Sequence, residues 1–359
     1  MLYMQKTSSP PSFSDYAIEH RKIKNTFFEQ VNKIINWDTI EKEIGKHYKR
    51  GISADGRPSY SGLLLFKLNL LQTWYGLSDY EVESQANDSI SFTKFLGLRL
   101  EDSIPDHSVI SRFRSALSEK NAYETIFQLV NTQLEQHNVL VRTGAIVDAT
   151  LTDSPRKPKG NKEVKVVIDR EETNEAEQKL LVEEIKVKDK INVPPSVDTE
   201  AAWIKKGNKL RYGYKKHVCT DEEGMILNIV TTAANESDIV HLLDTIEGAK
   251  LREGARVQAD KGYASQSNRD GLKAKKLKSG IMHKASRNKK LGEWQAKFNK
   301  AISKTRYRIE RTHGGIKLWF KTGACRYIGL DKTHTQHLIE SMAYNIYRAP
   351  NMVFKKACA

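Results

Sequence analysis

Gly144-Ala145-Ile146-Val147-Asp148-Ala149-Thr150 is the stretch on which the reading of this chain turns. Before it the pattern is helical. From Gly144 onward, short apolar runs alternate with helical ones. Ala145-Ile146-Val147 reads as a short buried strand that ends at an acid, Asp148. The arrangement recurs at Arg256–Ala259, a strand that ends at Asp260. Between the two lie Leu210–Thr220 and Met225–Thr232, extended apolar runs joined by Asp221-Glu222-Glu223-Gly224. A short acidic turn closing on glycine between two such runs predicts a hairpin. Asn235 or Ser237 can cap a helix through Gly248. Residues 264–275 read as helix, Leu277–Met282 as a further strand, 284–320 as mainly helix, and 335–349 as a last helix.

The order is therefore strand, two-stranded hairpin, helix, strand, helix, strand, helix. That succession predicts an α/β domain with a mixed sheet and helices on its faces, the ribonuclease-H-like arrangement. If the strands leading to Asp148 and Asp260 are parallel neighbours, both carboxylates emerge at one sheet edge, where open α/β sheets bind ligands. Taken singly, an Asp after a strand is also a common helix cap or turn residue.

A third acid has local support. On a helix, Arg306 and Lys317 fall within about 40° of Glu310 on one face. Arg306 and Glu310 at that spacing suit an ordinary surface ion pair. A cation, a carboxylate and a cation along one stripe equally describe a metal ligand flanked by phosphate clamps. Gly314-Gly315 inside the stretch costs roughly 1 kcal/mol per glycine in helix propensity, which is odd for a plain surface helix and tolerable where a DNA backbone approaches.

Working outward, residues 153–209 are loaded with Lys and Glu and contain Pro155, Pro158, Pro194 and Pro195; they read as a charged excursion with one helix, Asn174 to Lys188. Residues 1–22 are polar, rich in Ser and Pro, and expected to be disordered. From His20 to about Asn138 the pattern is helical and predicts an all-α domain. Its clearest piece is Tyr60–Tyr75, almost wholly apolar, the buried centre of a bundle. Asp79–Leu96 has the rhythm of a helix–turn–helix. The helix opened by Pro105-Asp106-His107-Ser108 displays Arg112 and Arg114, which suit either DNA contact or a solvated face.

Lys and Arg total 59 against 44 acids, a net charge of +15 that points to a polyanionic partner. Residues 269–300 concentrate this charge: 11 Lys or Arg against Asp270 and Glu293, with Trp294 and Phe298 among them. Such a strip can grip phosphates and stack a base, or it is a solvated helix whose aromatics face the core. Cys219, Cys325 and Cys358 are far apart and lack CxxC spacing, so neither a disulfide framework nor a zinc knot is expected. No apolar run approaches the roughly 20 residues of a membrane span, and Met1–Phe13 lacks the pattern of an export signal. A cytoplasmic, nucleoid-associated protein without a membrane partner is the expectation. His334 and His337 have no partners at zinc spacing, and a GxxxxGK[ST] loop is absent, which argues against ATP use.

Three blocks carry a resemblance. Ile146-Val147-Asp148-Ala149-Thr150, Gln258-Ala259-Asp260-Lys261-Gly262-Tyr263, and Arg306-Tyr307-Arg308-Ile309-Glu310-Arg311-Thr312-His313-Gly314-Gly315-Ile316-Lys317 resemble the acidic blocks of DDE transposases, more narrowly the insertion-sequence-five family within the insertion-sequence-four-like group. Gly56-Arg57-Pro58, Trp74-Tyr75-Gly76-Leu77-Ser78 and Ser103-Ile104-Pro105-Asp106-His107-Ser108 through Arg112-Phe113-Arg114 resemble that family's helical amino-terminal domain. Trp203-Ile204-Lys205-Lys206-Gly207 and Tyr212-Gly213-Tyr214-Lys215-Lys216-His217 resemble its lead into the hairpin.

The resemblance implies that Asp148, Asp260 and Glu310 are the catalytic residues and hold Mg²⁺, with Mn²⁺ able to substitute. Arg306, Glu310 and Lys317 keep the spacing of the group's Tyr, Arg, Glu, Lys pattern, whereas its tyrosine position is Ser303. Expected DNA contacts are Arg306, Lys317, Lys261, Arg112, Arg114, Lys289 and Lys290. The implied organisation is a disordered segment 1–22, a helical DNA-binding and assembly domain 23–140, and a DDE catalytic domain 141–350 carrying the insertion 153–209. The implied activity is cleavage at insertion-sequence ends and strand transfer to target DNA by two-metal-ion phosphoryl transfer. Double-stranded DNA, both terminal inverted repeats and target, is the partner, met by a homodimer or larger oligomer. The alternatives are a non-catalytic DNA-binding regulator derived from a transposase, and a metal-dependent nuclease of the same fold.

Overall fold

The computed structural model describes residues 27–48, 59–158, 196–285 and 290–356. The expected disordered segment 1–22, the helix 174–188 and Lys289 lie outside the described residues. The chain divides into two compact units, one ending at Lys120 and the other beginning at Asn121.

The first unit is all helix: α1 (Phe27–Ile34), α2 (Trp37–His47), α3 (Gly62–Tyr75), α4 (Asp79–Asp88), α5 (Ile90–Leu96) and α6 (His107–Ser118). Helix α3 is its axis, with Leu65, Phe66, Leu68, Leu70 and Leu71 fully buried. Ser61 starts it by accepting from the Leu63 amide, and Gly76 ends it in the left-handed region at φ 64°, a conformation that glycine adopts without strain. Ser78 and Glu81 form a capping box that starts α4.

An axis this apolar also holds polar groups, and each has a partner. The Lys67 ammonium donates to the Phe95 carbonyl at 2.9 Å and lies 4.7 Å over the Trp37 ring. Burial pushes its pKa down from 10.5 to about 8. Arg114, expected to face DNA, is instead 5% exposed. Its guanidinium is taken up by Asp79 at 2.8 and 3.1 Å, Asn69 at 3.2 Å and Gln72 at 3.2 Å. A planar fork matched to a carboxylate explains the site: Arg114 ties α6 to α3 and α4 and leaves little to offer a phosphate.

The second unit begins with α7 (Ala122–Gln136), followed by β1 (Gly144–Asp153), β2 (Ala202–Lys206), β3 (Lys209–Thr220), β4 (Ile226–Ala233), α8 (Leu242–Glu247), β5 (Arg256–Ala259), α9 (Gln266–Ala274), β6 (Lys278–Ile281), α10 (Glu293–Trp319) and α11 (Leu330–Lys356). The sheet runs β2-β3-β1-β5-β6, with β4 beside β3. Strands β2 and β4 take successive stretches of the long β3, at 209–213 and 214–220. Strand β3 is antiparallel to β1, whereas β5 and β6 run parallel to it. This is the ribonuclease-H-like order.

The register assigns faces. Asp148, Thr150 and Thr152 of β1 share one face with Val218, Lys216 and Tyr214 of β3. Helices α10 and α11 cover it. Lys317 donates to Thr150 Oγ1 at 2.6 Å, Lys216 pairs with Glu340 at 3.3 Å, and His337 bonds both Thr152 and Thr231. On the opposite face, α8 takes Asn228 through the Thr245 carbonyl at 3.0 Å, and Lys215 pairs with Asp238. The turn 221–224 forms as expected. Asp221 accepts from the Glu223, Met225 and Val141 amides, yet burial still pushes its carboxyl up to about 6.

Three expectations change. Strand β1 does not end at Asp148 but continues to Asp153, because β3 pairs with it all the way to Gly213. Residues 202–206, counted within the charged excursion, form the edge strand β2. Helix α7, grouped by sequence with the helical domain, belongs to the second unit. Its Asn131 donates to the Ile226 and Leu227 carbonyls, and Asn345 of α11 donates to the same Ile226 carbonyl, so both helices are tied to the start of β4. Cys219 and Cys325 are buried free thiols, and no helix among the described residues is long and apolar enough to cross a membrane.

Candidate active site

The site is assembled where β5 stops and β1 goes on. Val147 pairs with Ala259, so Asp148 and Asp260 are the next residues on neighbouring parallel strands, which lie about 4.8 Å apart. Both face α10. Asp260 has two roles at once: its Oδ1 accepts from the Gly262 amide at 2.5 Å and caps the short 3-10 turn Lys261–Tyr263, which aims its carboxylate. The helix-cap reading holds for this residue, and the cap leaves its Oδ2 facing Arg306.

Helix α10 brings charge to this edge. Arg306 reaches Asp148 Oδ1 at 3.2 Å and Asp260 Oδ2 at 3.8 Å, so one guanidinium bridges the two acids. His313 Nε2 lies 3.6 Å from Asp148 Oδ2. Lys317 continues along β1, donating to Thr150 Oγ1 and to the Leu151 carbonyl at 3.0 Å. Of the stripe expected from helical periodicity, the two cations Arg306 and Lys317 lie along β1. Burial opposes ionisation of Asp148, but the His313 imidazole and the Arg306 guanidinium outweigh it and hold its pKa below 3.8. Burial, then the nearby Arg211 and Lys206 cations, depress the Lys317 pKa.

Glu310 sits one turn after Arg306 and one before His313, exposed, with no hydrogen bond or ion pair among the described residues. Among those residues, the set of three or more acidic, His or Cys groups with donor atoms all within 4.8 Å is Glu83, Asp106 and His107 of the first unit. Asp148, Asp260 and Glu310 are not drawn that tightly together. The Glu83 set is accounted for by packing: Glu83 accepts from the His107 amide and ring at 2.8 and 3.0 Å, while Asp106 caps α6 through the Ser108 amide.

The other expected contacts are scattered. Lys261 and Lys290 are exposed. Arg112 is exposed and folds back on Ser108. Arg269, counted in the basic strip, is a structural residue donating to Ser279 and to the Ile281 and Met282 carbonyls. Trp294 is 66% exposed and stacks on Phe298 at 5.4 Å, with His283 edge-on to both, so it does not face the core. His217 lies on the far face, bonded to Thr232, and burial drives its pKa down to about 3. His313 was not singled out by sequence reasoning. The available signal was its spacing, three residues after Glu310 and therefore on the same helix face.

One acid within the central strand and one just past the end of its parallel neighbour, both faced by a cation-bearing helix, define the class of ribonuclease-H-like folds that gather carboxylates at one edge of the sheet. Residues 140–346 match the transposase DDE domain, and residues 16–116 match the transposase domain DUF772. The chain is 34% identical over 250 residues to the transposase for insertion sequence element IS1106 of Neisseria meningitidis serogroup B, covering 69% of this chain and 80% of that protein. A cryo-EM structure of a piggyBac transposase synaptic complex with hairpin DNA aligns over 93% of this chain and 75% of that one, at 11% identity and a TM-score of 0.41. The chain belongs to the insertion-sequence DDE transposases.

Enzymes of this family generally work with divalent metals. The residues here fit such an ion. Two half-buried carboxylates share a cation, and the buried His313 Nε2 has no hydrogen-bond partner while facing one of them.

Proposed function

We propose that this chain cleaves DNA at the ends of its element and joins the freed 3′-hydroxyls to target DNA. Asp148, Asp260 and Glu310 would be the catalytic carboxylates, and Mg²⁺ the resident ion. The observation that carries this reading is the placement of Asp148 and Asp260 beyond the paired residues Val147 and Ala259, both turned to α10.

Bound Mg²⁺ would supply charge stabilisation to the attacking and leaving oxygens of an in-line displacement. The chain's own residues account for the rest. Asp148 is ionised at neutral pH, so no proton need leave it first. Gly262 holds the Asp260 carboxylate in one orientation. Lys317 pins α10 to β1, which would hold the helix that bears Glu310 against the strand that bears Asp148. Arg306 is the cation nearest both acids and is suited to take a phosphate oxygen once the carboxylates engage metal. Lys261, Lys289, Lys290 and Arg112 would add phosphate contacts. The helical unit would recognise the terminal repeats, and a dimer or larger oligomer would pair two ends.

The test is excision from a plasmid bearing the element's ends in Mg²⁺, for wild type and for Asp148→Asn, Asp260→Asn and Glu310→Gln, followed by strand transfer of pre-cut ends. Each amide should abolish both steps while DNA binding persists. Unimpaired excision by Asp260→Asn overturns the assignment. Excision without strand transfer by wild type leaves a nuclease.

A further inference from the structure

We propose that His313 is a nitrogen ligand to the divalent ion held by Asp148 and Glu310, and that it biases this site towards transition-metal ions such as Mn²⁺. The inference rests on the reading of Asp148 as a metal-binding residue.

The two oxygens of Asp148 are divided between neighbours. Oδ1 faces Arg306, which also reaches Asp260, whereas Oδ2 faces only the imidazole of His313 among its ion-pair partners. The Nε2–Oδ2 separation of 3.6 Å is too long for a hydrogen bond. Two ligand atoms about 2.1 Å from a common ion at right to tetrahedral angles lie roughly 3.0–3.5 Å apart, so the observed spacing is close to that of a chelating pair. The ring is deeply placed, with a side chain 11% exposed, and its Nε2 is a buried atom without a hydrogen-bond partner. Buried polar nitrogens are nearly always satisfied, so an orphan aimed at a carboxylate asks for a ligand.

Glu310 lies three residues before His313 on the same helix, exposed; its oxygens are not within 4.8 Å of both Asp148 and His313, so it would join the ion by turning its side chain. An ion seated at Oδ2 leaves the Arg306 bridge on Oδ1 in place. An imidazole carrying its proton on Nδ1 donates through Nε2, and such a donor suits transition metals, whereas Mg²⁺ prefers oxygen alone.

The experiment loads the full chain with Mn²⁺ and records electron spin-echo envelope modulation, with Mn²⁺ affinity followed by loss of the free-ion signal and Mg²⁺ affinity by competition. Wild type should show coupling to a directly bound nitrogen that changes on [15N]histidine labelling. His313→Gln and His313→Phe should lose it. In the glutamine variant Mn²⁺ affinity should drop about tenfold or more, while Mg²⁺ affinity moves less than about threefold. The two variants guard against one of them failing to fold. Mn²⁺ binding that Asp148→Asn abolishes but that shows no nitrogen coupling overturns the role of His313 and leaves the proposed function standing. Coupling that survives in both His313 variants likewise overturns it. Mn²⁺ binding indifferent to Asp148→Asn overturns this inference and the proposed function together.

Discussion

Replacing Arg306 by Gln should tighten metal binding while slowing DNA cleavage. Its guanidinium reaches the carboxylates of Asp148 at 3.2 Å and Asp260 at 3.8 Å. A divalent ion shared by these acids would lie about 6 Å from that positive charge, a repulsion of about 3 kcal/mol at an effective dielectric near 40. The arginine is 18% exposed and its side chain can swing outward, so about half of this, roughly 1.4 kcal/mol or tenfold in affinity, should be recovered on removing it. Losing the guanidinium also raises the proton affinity of Asp148, which it helps to hold below 3.8, but a measurement at pH 7.5 remains far above that range. The assay is titration with Mn²⁺ followed by the free-ion signal, on wild type, Arg306→Gln and Arg306→Lys. The glutamine variant should bind about tenfold tighter and the lysine variant within about threefold of wild type, since lysine keeps the charge. Cleavage by the glutamine variant should fall, because a phosphate loses its nearest cation. Unchanged or weaker Mn²⁺ binding by Arg306→Gln refutes the idea that this side chain's positive charge weakens metal binding at the acids.

Three further outcomes test the scaffold. Glu340→Gln strands the ammonium of Lys216, whose side chain is 3% exposed beneath α11; urea unfolding should show a loss of about 3–5 kcal/mol, largely restored by adding Lys216→Met. Arg114→Ala should cost a similar amount, about 3–5 kcal/mol, by removing the cation that neutralises Asp79, and it should not alter the salt dependence of DNA binding, as loss of a phosphate contact would. Lys67 has a folded pKa near 8 against 10.5 unfolded. The unfolded chain therefore holds the extra proton between those values, and stability should rise across pH 8 to 10.5. The displacement corresponds to about 3 kcal/mol, so wild type should gain stability relative to Lys67→Met by that order as pH goes from 7.5 to 10.5.

Asp148 and Asp260 were legible in the sequence because each follows a short apolar run, and a parallel sheet turns two such runs into one edge. The stripe of Arg306, Glu310 and Lys317 was legible because helical periodicity assigns residues to a face. Strand β2 was hidden: Ala202–Lys206 sits in Lys-rich surroundings and pairs only with β3, and an edge strand tolerates charge that a central one does not. Helix α7 was assigned to the wrong neighbour because an amphipathic helix announces that it will bury a face without naming what it buries that face against. Its partners, Ile226 and Asn345, lie 95 and 214 residues further along the chain.

Arg114 and Arg306 show where that limit falls. Both are arginines on helices, in blocks that resemble a DNA-binding family, and both were expected to meet phosphate. Each is instead held by carboxylates, yet with opposite meaning. Arg114 meets Asp79 within a helical core, and the side-chain amides of Asn69 and Gln72 also accept from its Nη1, so acceptors crowd around it. Arg306 meets two acids at a half-open sheet edge, and its Nε is left without a partner. A guanidinium with a donor to spare, between carboxylates that repel each other, is held in an arrangement that a metal ion or a phosphate can still improve. Local sequence carries no sign of this difference, because it resides in whether the opposing acids have anything further to bind.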